Sequence, residues 1–217
     1  MITKKTQRRP GAQGGVRDTN RRERRRSLTD AALLLFLERG LEEVTIDDIT
    51  QATGVAKGSF YRYFDDKAAL VDALLAPVRE EVLSALAACA RALAKARDVE
   101  AMFDAYRALG AVLAGAVLTH PGVVRLYLQE NRGAPSGARQ KLAALADQIA
   151  SSAILVTRKG HSHGLLRKVH PAVSALAVVG AVERLLLAVL RGEDVGNPLE
   201  IPEALTGIIL DGLRAPR

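Results

Sequence analysis

Lys57, Ser59, Tyr61, Arg62 and Tyr63 fall within seven consecutive residues and bring together two cations, a short hydroxyl and two phenols. These groups bind phosphate oxygens and the edges of bases. Gly58, between the first two, has no side chain to hold a backbone away from a duplex. Packing is the plain alternative, since aromatic residues at helical spacing usually fill a core. Yet residues 60–64, FYRYF, hold four of the chain's eight aromatic residues, and an arginine stands between two tyrosines on a chain of net charge +7. That combination favours contact with nucleic acid.

Two short helices must hold these groups. Thr45 followed by Asp48 spells a capping box, in which the hydroxyl accepts from the Asp48 amide while the carboxylate reaches back. A helix therefore starts at Thr45, with Ile46, Ile49 and Ala52 on one face, and Gly54 supplies the left-handed residue that ends it. After a turn at residues 53–55 a second helix is predicted over 56–63, with Val55, Phe60 and Phe64 packed inward. A longer helix over residues 20–39, capped by Asn20 with Glu23 three residues on, buries Leu28, Ala31, Ala32, Leu35 and Phe36 behind them and closes at Gly40. Leu41, Val44 and Ile46 continue that small core. The whole reads as a three-helix helix-turn-helix unit over residues 20–66.

The run from residue 28 to 70 resembles the N-terminal domain of the tetracycline-repressor-like (TetR) family of bacterial transcription regulators. The resemblance rests on AA-x-x-x-F-x-x-x-G, T-I-D-D-I, G-V-A-K-G-S-F-Y-x-Y-F and K-x-x-L, and covers about a fifth of the chain. It implies DNA contacts by Thr45, Lys57, Gly58, Ser59, Tyr61, Tyr63 and Lys67, with Arg62 at a variable position that helps set sequence preference. Ala56 stands where a serine or threonine is common, which weakens the cap of the second helix. The resemblance also implies a homodimer, a double-stranded DNA operator and a small-molecule effector.

Charge is distributed unevenly. Residues 1–26 hold ten Lys and Arg against Asp18 and Glu23, a net +8, and the other 191 residues come to about −1. A basic end beside a helix-turn-helix is the electrostatic footprint of a phosphate binder. Residues 1–19, broken by Pro10, Gly11, Gly14 and Gly15, are expected to form a disordered arm. Arg21, Arg22, Arg24, Arg25 and Arg26, next to the domain, are the better candidates for phosphate contact. The opposing view is a solvated tail that aids solubility.

The other 151 residues, 67–217, read as a helical effector-binding and dimerisation domain. With 48% hydrophobic residues and only 4% aromatic, the chain suits closely packed Ala, Leu and Val helices, an all-α fold with one substantial core or two small ones. Helices are predicted at 67–96, 99–119, 122–131, 136–159, 171–190 and 202–213. Pro77 removes a backbone donor inside the first of these and predicts a kink or a break. The helix from Pro171 is apolar nearly all round, which calls for partners on more than one side. It is assigned, with the last helix, to a four-helix bundle across a two-fold axis, using Val173, Leu176, Gly180, Leu187, Leu205 and Ile209. Two-fold symmetry predicts a palindromic operator. Met102, Phe103, Tyr106, Val123, Tyr127 and Ile154 are candidate walls of an effector pocket, with Arg125, Gln129, Glu130 or Asn131 as polar anchors, and the apolar bias favours a hydrophobic effector over a sugar or a metal.

Other chemistries find little support. Cys89, the lone cysteine, sits among alanines and reads as a small buried filler. His161, His163 and His170 lack the Cys or clustered carboxylates of a metal site, and no metal or cofactor is expected. There is no Gly-rich phosphate loop, no G-x-S-x-G and no H-E-x-x-H, so an enzyme is not expected. No run is read as approaching membrane-spanning length, and the chain is placed in the bacterial cytoplasm, at the nucleoid. The competing function is an architectural DNA-binding protein that uses its basic arm without regard to sequence.

Overall fold

The computed structural model describes residues 16–162, 169–197 and 200–213. Residues 1–15 of the basic arm, His163 and the side chain of Ile209 lie outside the described set. Within it the chain is helical: α1 (Val16–Arg39), α2 (Ile46–Thr53), α3 (Lys57–Phe60), α4 (Lys67–Lys95), α5 (Val99–Thr119), α6 (Pro121–Glu130), α7 (Arg139–His161), α8 (Pro171–Leu190) and α9 (Ile201–Leu213).

The first helix departs from expectation. Asn20 is no cap, because α1 is already helical at Val16, the first described residue. The basic segment sustains helix because its acids sit four residues from arginines: Asp18 accepts from Arg22 at 2.9 Å, and Asp30 lies 3.5 Å from Arg26. Residues 16–19, assigned to the arm, therefore belong to this helix. Leu28, Ala32 and Phe36 are its buried stripe, and Gly40, at φ 87°, ends it with its amide on the Phe36 carbonyl at 2.9 Å.

The later elements start where side chains or prolines can cap them. Asp66 accepts from the Ala69 amide at 2.6 Å and Asp98 from the Ala101 amide at 2.8 Å. Pro121 and Pro171 open α6 and α8, where a missing N–H costs nothing. Pro77 does not break α4, which runs 29 residues as one helix with the proline on an exposed face.

Helix α4 is the spine. It packs along α7 and α5; α7 lies on α8, and α5 on α9. Helix α6 sits between these layers and also touches α1, where a Cβ at Gly122 would stand 3.1 Å from the Leu33 side chain. Buried residues from Leu28 to Val156 form one continuous core, so the helix-turn-helix unit and the helical body are not two separately packed pieces.

The sequence reading of membrane-length helices needs correcting. Both α5 and α8 are long and apolar enough to cross a membrane by length and composition, and only 17% of each apolar window is buried within the chain. Each nonetheless packs on neighbouring helices along part of its surface, α5 on α4, α6 and α9, and α8 on α6 and α7.

Candidate nucleic-acid interface

Local chemistry sets the angle of the two short helices. Thr45 accepts from the Asp48 amide at 3.2 Å, while Asp48 accepts from the Thr45 amide at 2.7 Å and from its hydroxyl at 2.6 Å. Arg39 reaches across from α1 to the same carboxylate at 3.1 Å. Hydrogen bonds from the Thr45 side chain and backbone, then from Arg39, hold the Asp48 carboxyl down at about 2. Gly54, at φ 64° and ψ 20°, turns the chain, and its amide donates to the Gln51 and Thr50 carbonyls.

Helix α3 is shorter than predicted, four residues rather than the eight of 56–63. Ala56 offers no side-chain cap, and Gly58 lowers helix propensity at the second residue of the helix. The chain continues in tight turns, with the Tyr63 amide on the Phe60 carbonyl at 2.8 Å and the Phe64 amide on the same oxygen at 3.1 Å. Phe60 and Phe64 are buried with ring centroids 5.7 Å apart, and the Arg25 guanidinium lies 5.1 Å over the Phe64 ring. Those aromatic anchors leave Lys57, Gly58, Tyr61 and Arg62 exposed, with Ser59 and Tyr63 half-buried. Of the inward face expected for α2, Ile49 is fully buried and Ile46 half-buried, but Ala52 is exposed.

Two lysines are engaged within the chain. Lys57 lies 2.8 Å from Asp47, and that hydrogen-bonded pair raises its pKa. Both partners are more than half exposed, so a phosphate can replace the carboxylate at little cost. Lys67 is more deeply committed: its ammonium donates to the carbonyls of Leu41 and Val44 at 2.9 Å and of Glu42 at 3.4 Å. It ties the loop before α2 to the start of α4. Among the basic-arm candidates, Arg21 and Arg24 face an open cleft that they share with Asn20, Arg62 and Tyr63, while Arg22 and Arg26 pair with acids on α1.

The body places the remaining candidates as follows. Met102, Val123 and Tyr127 are buried in the common core, and Phe103 and Tyr106 pack against it half-buried. Ile154 is half-buried on α7. Burial pushes the Tyr106 and Tyr127 phenols above their ordinary range, and lifts the Cys89 thiol to about 11. The Tyr127 hydroxyl donates to Glu183 at 2.8 Å, as does the Asn131 amide at 3.2 Å, joining α6 to α8. The buried Nε of Arg125 has no hydrogen-bond partner among the described residues. Glu130 faces the other way. It accepts from the Leu41 amide at 3.1 Å and from Arg139 at 2.8 Å, and Arg139 also approaches Glu42 at 3.6 Å. Its neighbours are 89 and 9 positions distant in the chain, so spacing gave no sign of this junction. Asp47 and Glu183 were missed for the same reason, their partners lying on other helices.

His170 caps α8, its Nδ1 accepting from the Ala172 amide at 3.3 Å, and His161 at the end of α7 is half-buried. Val173 and Leu176 are 61% and 50% exposed, whereas Gly180, Leu187 and Leu205 are half-buried. Helix α9 meets the body at α5.

Residues 28–74 match the family model described as bacterial regulatory proteins, tetR family. Over 52 residues the chain is 48% identical to the HTH-type transcriptional repressor KstR2 of Rhodococcus jostii, covering 24% of this chain and 26% of that protein. It is 37% identical over 73 residues to the HTH-type transcriptional regulator BetI of Cronobacter sakazakii, covering 34% and 36%. The matched part thus spans about a quarter to a third of these curated relatives. Among solved structures, NalD of Pseudomonas aeruginosa, the secondary repressor of the MexAB-OprM multidrug efflux pump, is similar over 92% of this chain and all of that one, with a TM-score of 0.69 at 19% identity. The fatty acid degradation regulator FadR of Bacillus halodurans is similar over 87% and 99%, with a TM-score of 0.66 at 16% identity. The N-terminal domain, in which the capping box, the Gly54 turn and the buried Phe60 set the two short helices, thus carries the match to the tetR family of bacterial regulatory proteins, and the chain as a whole shares the helical fold of those solved regulators.

Proposed function

We propose that the chain is a homodimeric transcriptional repressor that binds a palindromic operator and is released by a small hydrophobic effector. The observation that carries the reading is the exposed set Lys57, Gly58, Tyr61 and Arg62 on a turn of helix whose Phe60 and Phe64 are locked in the core. A short element held by buried anchors, with exposed donors, is what major-groove reading requires, since base discrimination depends on bidentate geometry. A Cβ at Gly58 would meet nothing within 4 Å among the described residues, which leaves the bare backbone there open to a partner's approach. In this reading Thr45, Lys57, Ser59, Tyr61, Arg62 and Tyr63 form the contact surface, and Lys67 sets its angle from behind.

The second copy is argued from α8. A helix of 20 residues, apolar enough by composition to cross a membrane and with so little of it buried, needs more apolar cover than one chain supplies. The effector site is argued from the core residues of α5 and α6, Met102, Phe103, Tyr106, Val123 and Tyr127, which a bound guest would have to part. Regulators whose names join them to fatty acid degradation, ketosteroids and multidrug efflux share this fold, which supports an apolar guest. A guest that spreads α5 from α6 would move Glu130, and with it the loop before α2.

The test is selection of bound fragments from the native genome by the full chain, followed by competition with random duplex. A specific regulator prefers its selected site by roughly 10³-fold or more. If random DNA competes equally, the sequence-indifferent architectural protein is the better account.

A further inference from the structure

The end of α6 meets α8 in a polar cluster that its apolar surroundings do not call for. Glu183 and Arg184 are the only charged residues among the 20 of α8. Arg184 pairs with Glu193 at 2.7 Å, while the Glu183 side chain is only 18% exposed. One of its oxygens, Oε1, accepts from the Tyr127 hydroxyl and from the Asn131 amide nitrogen. The other, Oε2, makes no hydrogen bond among the described residues, and the one cation beside it, Arg132, stands 3.6 Å away and is 69% exposed. So loose and solvated a pair contributes little. A second acceptor is open too: the Oδ1 of Asn131 is buried without a partner among the described residues. It belongs to the same amide whose nitrogen touches Glu183, and so lies beside the carboxylate. Turning that amide over gives no relief, because its oxygen would then face a carboxylate oxygen. Both acceptors sit at the C-terminal end of α6, where the helix dipole favours positive charge.

Their position joins them to the effector site argued above. The Tyr127 ring belongs to the common core with Met102 and Val123, and its hydroxyl ends on Glu183. A guest lying along that ring has its far end at the carboxylate. Asn131 closes α6, and residues 132–137 after it are exposed, so this end of the site adjoins solvent.

We propose that Glu183 and Asn131 seat a protonated amine, and that the effector is an apolar body carrying a primary ammonium group. The proposal rests on the effector reading above and narrows it. An ammonium supplies charge to the carboxylate and N–H donors to Glu183 Oε2 and Asn131 Oδ1, and it releases the Arg132 guanidinium to water. A hydroxyl brings one donor and no charge. A carboxylate head is repelled, whatever apolar body it carries.

The experiment is titration calorimetry of the full chain at pH 7 with two apolar bodies, decyl and naphthylmethyl, each bearing an amine, an alcohol or a carboxylate. On at least one body the amine is expected to bind about 10-fold or more tighter than the alcohol, the worth of a hydrogen bond to a charged group, and the carboxylate most weakly. The chain's net charge of +7 draws carboxylates, so a preference for the amine cannot come from its overall field. Decyltrimethylammonium, below its micellar concentration, carries the charge without N–H donors and should bind less tightly than decylamine; equal affinity would overturn the hydrogen-bonded seat. Glu183→Gln should bring the amine-to-alcohol ratio close to 1, and an unchanged ratio would overturn the proposal. Arg132→Gln removes the competing cation and should tighten the amine several-fold. Circular dichroism checks folding; should Glu183→Gln unfold, the ranking by the unmodified chain and Arg132→Gln carry the test. Tightest binding of the carboxylate would replace this seat by a cationic anchor, with Arg125 the first to examine. Equal binding of all three heads would leave the apolar guest standing and remove the seat. The genome-selected duplex separates the two readings: an amine that binds with the expected ranking yet does not release DNA keeps the seat and sinks the effector role, and failure of every probe to bind sinks both.

Discussion

Lys67 and Asp48 both look like surface residues in the sequence, and both act inside the chain. The Lys67 ammonium, on three carbonyls of the loop before α2, leaves those oxygens unpaired if removed. Lys67→Met is expected to cost about 1–3 kcal/mol of stability, seen as a lowered thermal midpoint. A residue that only touched phosphate would lose DNA affinity with the midpoint unchanged. Asp48 has its carboxyl held near 2 against an ordinary 3.8, so it binds its proton less readily folded than unfolded. Its contribution is therefore complete above about pH 4 and fades as pH falls through about 2. The difference in thermal midpoint between the natural chain and Asp48→Asn should be largest near neutral pH and close up toward pH 2. A constant gap across that range would remove the carboxylate from the account of how α2 is held. The residue types of the proposed contact surface were legible because Thr45, Gly54 and the FYRYF run carry their chemistry locally. The engagement of Lys67 was not, because its acceptors are main-chain oxygens more than twenty positions away.

The helices of the body fell where caps and breaks placed them: Asp66, Asp98, Pro121 and Pro171 each mark a start that the backbone needs. Misreadings came where two local signals competed. Asn20 looked like a cap, but acid–arginine pairs at four-residue spacing carry α1 past it. Helix α3 ends early because nothing caps it and Gly58 sits within it. Contacts between elements were the least legible part, and the α6 end illustrates why. Glu130 was a candidate anchor for an effector and instead joins α6 to the loop before α2 and to α7. With its side chain 12% exposed, replacing it strands two donors. Glu130→Ala is expected to destabilise the chain by about 1–3 kcal/mol, to speed hydrogen exchange at the Leu41 amide and to weaken DNA binding. An unchanged exchange rate at Leu41 would show that the hydrogen bond does not hold the loop.

At the scale of the molecule, one core runs from the helix-turn-helix unit into the body, and the apolar surface of α8 is left largely uncovered, where the proposed second copy would pack. Leu176→Arg places a charge where half of the leucine is exposed, so the fold should survive while pairing does not. Sedimentation should find single chains. Operator affinity should fall by 10²-fold or more, since two linked reading units gain that much from avidity. A dimer that persists would move the interface elsewhere, with α9 and its exposed Ile208 the next place to test. The tie between the two halves has a further meaning for how such proteins diversify. On the reading side, the partner of Glu130 is a main-chain N–H, which every amino acid except proline possesses. The reading half is thus free to drift through new operator preferences without losing this connection, and grafting a foreign reading unit onto this body should preserve it so long as the carboxylate is kept and no proline enters at 41.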